Sequence, residues 1–341
     1  IVQLGIEQGL SNEYIVGITQ DKDGFLWFAT EEGLNKFDGT HFIRYYKHTS
    51  SISGNELNGI YADPSEPIIW IATQRAGLNA FNYEQNTLQI YTHNPESATS
   101  LITNDITSIA PAADGNLWLS TYHRGVEYFN KETREFTHYN ISTLNGLVSD
   151  NVWSILDDDK GHLYIGHVVQ GLTVLSLKDK TVKNYKNDPA DEKSIPGNDV
   201  KCIYKDRNSN IWIGTDKGLA LFNPETESFV RIANGFDSIL SSYIFDIWQT
   251  NDHNLWVATE LNGVAVIDLR QFFVLNHSLN LQHYTIGYNK YSLSSSTVRC
   301  IFQDSFKNIW LGTYGGGINF IGYTQPLFGS YNFSPIPDDI N

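Results

Sequence analysis

Aromatic, basic and amide side chains gather in six short stretches of this 341-residue chain: QRAG (Gln74–Gly77), YHRG (Tyr122–Gly125), HVVQG (His167–Gly171), TDKG (Thr215–Gly218), ELNG (Glu260–Gly263) and YGGG (Tyr314–Gly317). Tyr122 and Tyr314 offer flat faces for the C–H surface of a pyranose. His123, Gln170, Glu260 and Asn262 offer polar partners for hydroxyls, and Arg75 and Arg124 suit a uronate or sulfate. Together they make the inventory of a sugar-binding rim. His167 shares the position but replaces a threonine of the surrounding pattern, which favours a hydrogen-bonded structural role over a ligand contact or a pH-sensitive group. Acid–base chemistry is the competing use, with the carboxylates of Glu31, Glu32 and Glu260 and the imidazoles of His123 and His167 as partners. HExxH, GxSxG, Walker A and CxxC motifs are all missing, so no catalytic residue is assigned. The run Asp157–Asp159 lacks the twelve-residue ligand spacing of an EF-hand and reads as a hairpin turn. Neither a metal nor a cofactor is expected.

The elements that must position these loops repeat seven times. A tryptophan-led tetrapeptide recurs as WFAT (Trp27), WIAT (Trp70), WLST (Trp118), YIGH (Tyr164), WIGT (Trp212), WVAT (Trp256) and WLGT (Trp310), at intervals of 43 to 54 residues. That period fits a four-stranded propeller blade. A branched anchor (Ile15, Leu57, Ile106, Val152, Val200, Ile244, Val298) stands 12 residues before the aromatic in six copies and 13 before Trp70. Asp, Asn and Gly clusters fill the gap as a tight hairpin. Downstream, Gly33, Gly77, Gly125, Gly171, Gly218, Gly263 and Gly317 each open an apolar run, and a short aromatic strand such as FTHY (Phe136–Tyr139) follows in most copies. The prediction is an all-β, seven-bladed β-propeller of four-stranded antiparallel blades, strands A to D, in one domain over residues 1–341. An open ring would leave two sheet edges bare. Val2–Ile6 is therefore expected to supply the outer strand of the seventh blade, with Phe328–Tyr331 as the rival. In this architecture the D–A and B–C loops share one face, and the variable B–C loops bring the rim residues to the pore mouth. The recurrent tryptophans mark blade packing; Trp153 and Trp248 break the register and are better candidates for contact, with core still favoured.

Composition narrows the function. A net charge of −15 argues against a nucleic-acid or anionic-membrane surface. No stretch approaches the roughly 20 apolar residues of a membrane span. Cys202 and Cys300 hold the same strand-A position in blades five and seven, a whole blade apart, and are expected as free, buried thiols. The chain contains no methionine. NFSPIPDDIN (Asn332–Asn341) is similar to the D–A loops THNPESATSL (Thr92–Leu101) and KNDPADEKSI (Lys186–Ile195), so residues 332–341 are expected to begin a further repeat of a longer array.

The pattern LxxNxVxxIxxDxxGxLWIGTxxGL, present here as LITNDITSIAPAADGNLWLSTYHRGV (Leu101–Val126), resembles the two-component regulator propeller repeat. The opening GLSNEYIVGITQDKDGFLWFATEEGLNKFDG (Gly9–Gly39) is similar to the sensor region of hybrid two-component systems of gut Bacteroides. The resemblance covers all seven blades, with local departures at Tyr164, His167 and Gln249 and in a longer C–D excursion ahead of blade seven. It implies the periplasmic portion of an inner-membrane histidine kinase/response regulator that senses oligosaccharides from glycan breakdown. A second propeller and a Y-rich module of the same chain would be partners, the membrane would be reached only through a transmembrane segment outside this sequence, and the full receptor would be a homodimer. Two other functions stand beside the ligand-sensing module: a structural propeller whose ligand site lies in the second propeller, and a propeller polysaccharide lyase or hydrolase.

Overall fold

A computed structural model describes residues 1–49, 52–232, 239–274, 281–287, 289 and 291–323. Its strands, numbered β1–β28 along the chain, form seven four-stranded antiparallel sheets in which sequence neighbours pair. The innermost strands A are β2 (Ile15–Gln20), β6 (Leu57–Ala62), β10 (Ile106–Pro111), β14 (Val152–Asp157), β18 (Val200–Lys205), β22 (Ile244–Gln249) and β26 (Val298–Gln303). Each packs against strand A of both neighbouring blades, so the ring closes on itself. Closure is made by β1 (Val2–Leu4), which pairs with β28 (Ile318–Ile321) in the register Val2↔Phe320, Gln3↔Asn319, Leu4↔Ile318. The seventh blade thus unites both ends of the ring and leaves no free edge on β28. The rival segment Phe328–Tyr331 lies outside the described residues, as do residues 332–341.

Hydrophobic burial runs between blades rather than through one central core. Each of seven apolar clusters holds the strand-B aromatic of one blade against the next: Trp27 with Ile69, Ile71 and Phe81; Trp70 with Phe129; Trp118 with Leu163; Tyr164 with Phe222; Trp212 with Phe272; Trp256 with Ile309; Trp310 with Phe28. These rings are 0–7% exposed, and truncating one to alanine typically costs about 3–5 kcal/mol. A buried indole N–H also needs an acceptor. Asp21, Asp206 and Asp304 supply it from the A–B turn of the same blade, at 2.7, 3.0 and 2.9 Å from Nε1 of Trp27, Trp212 and Trp310. The same carboxylates cap the turns, Asp21 Oδ1 accepting the N–H groups of Asp23 and Phe25.

The B–C glycines have φ from 67° to 121°, the left-handed region that costs glycine nothing. At Gly125 a Cβ would also collide with the Tyr139 carbonyl oxygen of the outer strand. Blade six departs from the others: after β24 (Val264–Asp268) the C–D connection forms the short helix α1 (Leu269–Val274), whose Phe272 packs on Trp212 at 5.7 Å.

Candidate functional site

A β-bulge in every strand A builds the site. The pairing of strand A with strand B shifts between its first and third residues in all seven blades. That leaves Val16, Asn58, Thr107, Trp153, Lys201, Phe245 and Arg299 as extra residues, and a bulge re-aims the side chain it releases. All seven line a cavity of about 850 Å³ on the propeller axis. Two positions further along, Ile18, Ile60, Ile109, Ile155, Ile203, Ile247 and Ile301 line the same cavity. Strand A starts at the face of the D–A and B–C loops. The channel therefore has a chemically varied mouth on that face and an isoleucine collar below it.

The mouth is asymmetric. In blades two and three the bulge side chains are tied down, Asn58 Nδ2 donating to the Ile106 carbonyl and Thr107 Oγ1 to that of Val152, both at 2.7 Å. In blades four, five and seven they are large and aimed at the cavity. The Lys201 ammonium lies 3.8 Å from the centroid of the Trp153 ring, and the Arg299 guanidinium 4.2 Å from that of Tyr314. Arg299 Nη1 also donates to Glu31 Oε1 at 2.7 Å. Burial pulls the Lys201 ammonium down to about 8; Asp199 opposes that shift and the Arg299 guanidinium adds to it. Burial pushes Asp199 up. Its Oδ2 accepts the Tyr243 hydroxyl at 3.1 Å, while its buried Oδ1 has no hydrogen-bond partner of ordinary geometry among the described residues. The Trp153 indole N–H is likewise buried and, among the described residues, has no partner of ordinary hydrogen-bond geometry, though it lies close enough to Asp199 to lower that carboxyl.

The B–C loops contribute unequally. Tyr122 lines the channel, its ring 3.9 Å from His123 and 6.1 Å from Trp153. Tyr314 reaches the mouth through Arg299 and packs edge-on against Tyr14 at 4.6 Å. Arg75 and His123 are exposed and face Asp105, whose carboxyl burial raises and these two groups lower. Arg124 and Glu260 are exposed on the loop surface. Gln170 and Asn262 are engaged within the protein: Gln170 Oε1 accepts Lys186 Nζ just past β17 (Val182–Tyr185), and Asn262 Nδ2 donates to Ser242 Oγ, both at 2.6 Å. His167 is fully buried inside blade four, with Nε2 2.8 Å from Thr173 Oγ1. Thr173 spends its own proton on Asn184 Oδ1, so His167 is the donor through Nε2 and stays neutral, with burial pulling it down to about 4.

Two features escape a loop-based search. The bulge residues are one; their signal is a position after the anchor that reads Val, Asn, Thr, Trp, Lys, Phe and Arg in seven copies while the fourth position is always isoleucine. Asp246 is the other, a carboxylate where other blades carry Gly, Ser or Cys. It accepts the N–H groups of Ile247 and Ile301, each at 2.8 Å, and burial pushes it up to about 7. Cys202 and Cys300 are free and buried at the same strand position. Among the described residues no three His, Cys, Asp or Glu side chains cluster as a metal site, and no helix is long and apolar enough to cross a membrane.

The two-component regulator propeller family matches residues 9–32, 100–123, 194–217 and 292–315, each an end of strand-A loop, strand A and strand B of the ring just described. Four of the seven blades carry the two-component regulator propeller repeat. It is similar to the extracellular domain of a putative hybrid two-component system of Bacteroides thetaiotaomicron, at 55% identity over 95% of this chain and 42% of that one, with a TM-score of 0.85. A histidine kinase of Formosa agariphila is 31% identical over 71% of this chain and 20% of its own length. A second extracellular domain from B. thetaiotaomicron, of a putative one component system, shares the fold at 22% identity and a TM-score of 0.73. The propeller thus spans less than half of the first solved relative and a fifth of the curated one. The relative at 55% identity is thus the extracellular domain of a putative hybrid two-component system.

Proposed function

We propose that this propeller is the ligand-sensing module of a membrane-anchored hybrid two-component receptor, on its periplasmic side, and that the channel mouth binds an oligosaccharide. The observation that carries the proposal is the pair of unsatisfied groups at the mouth. The buried indole N–H of Trp153 points toward the carboxylate of Asp199 close enough to lower it, yet among the described residues neither that N–H nor Asp199 Oδ1 completes a hydrogen bond of ordinary geometry. Such a pair costs free energy while it is empty. A sugar hydroxyl is donor and acceptor at once, and one hydroxyl would satisfy both. Tyr122 and Tyr314, 38% and 46% exposed, supply flat apolar surface beside it.

Signalling would then require the ligand to prefer one arrangement of the receptor over another, since equal affinity for both shifts nothing. In this proposal the partners in that arrangement are a second propeller and Y-rich module of the same chain, and a second receptor copy. The module itself performs no chemistry. The test is calorimetric titration of the propeller against a panel of neutral and acidic oligosaccharides, with product analysis of each mixture. Binding without product is expected; turnover would make it an enzyme, and no binding by any saccharide would remove the site from this propeller.

A further inference from the structure

The cationic side of the mouth has a use that hydroxyl recognition leaves open. Lys201 and Arg299 both occupy bulge positions, both point into the same cavity, and each rests on an aromatic ring that fixes its direction. Among the described residues Lys201 has no hydrogen-bond or ion-pair partner within bonding distance; the Trp153 face is its contact, and Asp199 acts on it only through its charge. Arg299 has a fork of five donors, of which one is given to Glu31. Two cations thus share a partly buried channel wall: burial disfavours the Lys201 charge, Asp199 supports it and the Arg299 guanidinium opposes it, while Arg299 leans on Glu31. Bringing like charges together under a low-dielectric wall is costly unless an anion joins them.

The opposite arc is acidic. Glu56 and Asp105, from blades two and three, line the same cavity, while Glu31 of blade one is taken up by Arg299. That arc repels a polyanion and suits hydroxyls, which donate to carboxylates. The mouth is therefore split into a side for negative charge and a side for neutral polyol.

We propose that Lys201 and Arg299 form a subsite for the single carboxylate or sulfate of an acidic saccharide, whose hydroxyls turn to Asp199 and the acidic arc. The proposal deepens the sensor function and rests on it. The Arg299 fork matches a planar carboxylate by two parallel N–H···O bonds, and the Lys201 ammonium adds a second charge from the neighbouring side. A chain with an anion on every sugar would meet Glu56 and Asp105 and is disfavoured.

Three sets of probes test it by calorimetry: disaccharides and trisaccharides with one glucuronate, galacturonate or mannuronate; the same sugars with the carboxyl reduced to the alcohol; and singly and multiply sulfated disaccharides. Each is titrated into the wild-type propeller and into Lys201→Gln, Arg299→Gln and Arg299→Lys, all checked for an unchanged melting transition. The expected result is at least one uronate or monosulfate whose affinity falls about tenfold or more on carboxyl reduction or desulfation. The same ligand should lose a comparable factor in Lys201→Gln and Arg299→Gln and less in Arg299→Lys. The uronate and sulfate arms decide which anion is preferred. If saccharides bind with no regard to charge, or if Lys201→Gln leaves uronate affinity intact, this inference fails and the sensor function stands. If no saccharide binds at all, both fall.

Discussion

Trp118 takes its carboxylate from the next blade. Blade three has Ala112 where blades one, five and seven have an aspartate, and Asp157 of blade four reaches across to accept the Trp118 indole N–H at 3.0 Å and the Ala113 amide at 3.1 Å. The Asp157–Asp159 run, which reads in sequence as one polar turn, is three separate devices. Asp157 bridges blades, Asp158 caps its own turn through the amides of Lys160 and His162, and Asp159 pairs with Lys205. Replacing Asp157→Ala strands a buried donor and should cost about 1–3 kcal/mol in denaturant unfolding. The second change Ala112→Asp rebuilds the arrangement of the other blades and should recover most of that loss. Asp246 adds a pH dependence of the opposite sense to most carboxylates. Its folded value is raised to about 7, so the folded state holds the proton that the unfolded chain, near 4, gives up. Stability from this group is present below about pH 4, falls as pH rises toward 7 and is gone above it. The melting temperature of the wild type should therefore drop more between pH 5 and pH 8 than that of Asp246→Ser, the residue found there in blades three and four; parallel drops would refute the assignment.

At the scale of the strand, the repeat makes most of the fold legible. The branched anchor, the aspartate turn, the tryptophan and the glycine each appear in most copies, and each maps onto one structural necessity: the start of strand A, the A–B hairpin, the blade interface and the left-handed B–C turn. Gly125→Ala should accordingly destabilise the propeller by more than 2 kcal/mol, since it combines φ 83° with a clash against the Tyr139 carbonyl. The terminal strand was legible for the same reason, because an open ring exposes an edge. Deleting residues 1–5 bares the outer edge of β28 and should raise aggregation in light scattering above that of the intact propeller. The bulge was not legible. It adds a residue without changing composition, and no turn residue marks it, so alternation along strand A assigns Lys201 and Arg299 no particular direction. The rim residues show the complementary failure. Tyr122, three residues before its glycine, lines the channel, whereas Gln170, one residue before its own, pairs with Lys186; loop composition alone does not separate the two.

For the molecule as a whole, seven near-identical blades provide a rigid ring, and the differences between blades carry the recognition. The variety is concentrated at the mouth of the channel, with Trp153, Lys201, Phe245 and Arg299 in the last four blades and acids in the first three. Blade interfaces fix these side chains in place, which lowers the ordering cost of binding. The most direct measurement is amide hydrogen exchange of the propeller with and without a saturating saccharide from the calorimetric panel. Binding at the mouth predicts slowed exchange at the starts of β14, β18 and β26 and in the loops around Tyr122 and Tyr314, with the outer strands unchanged. Protection confined to the outer strands or to the A–B turn face would contradict it.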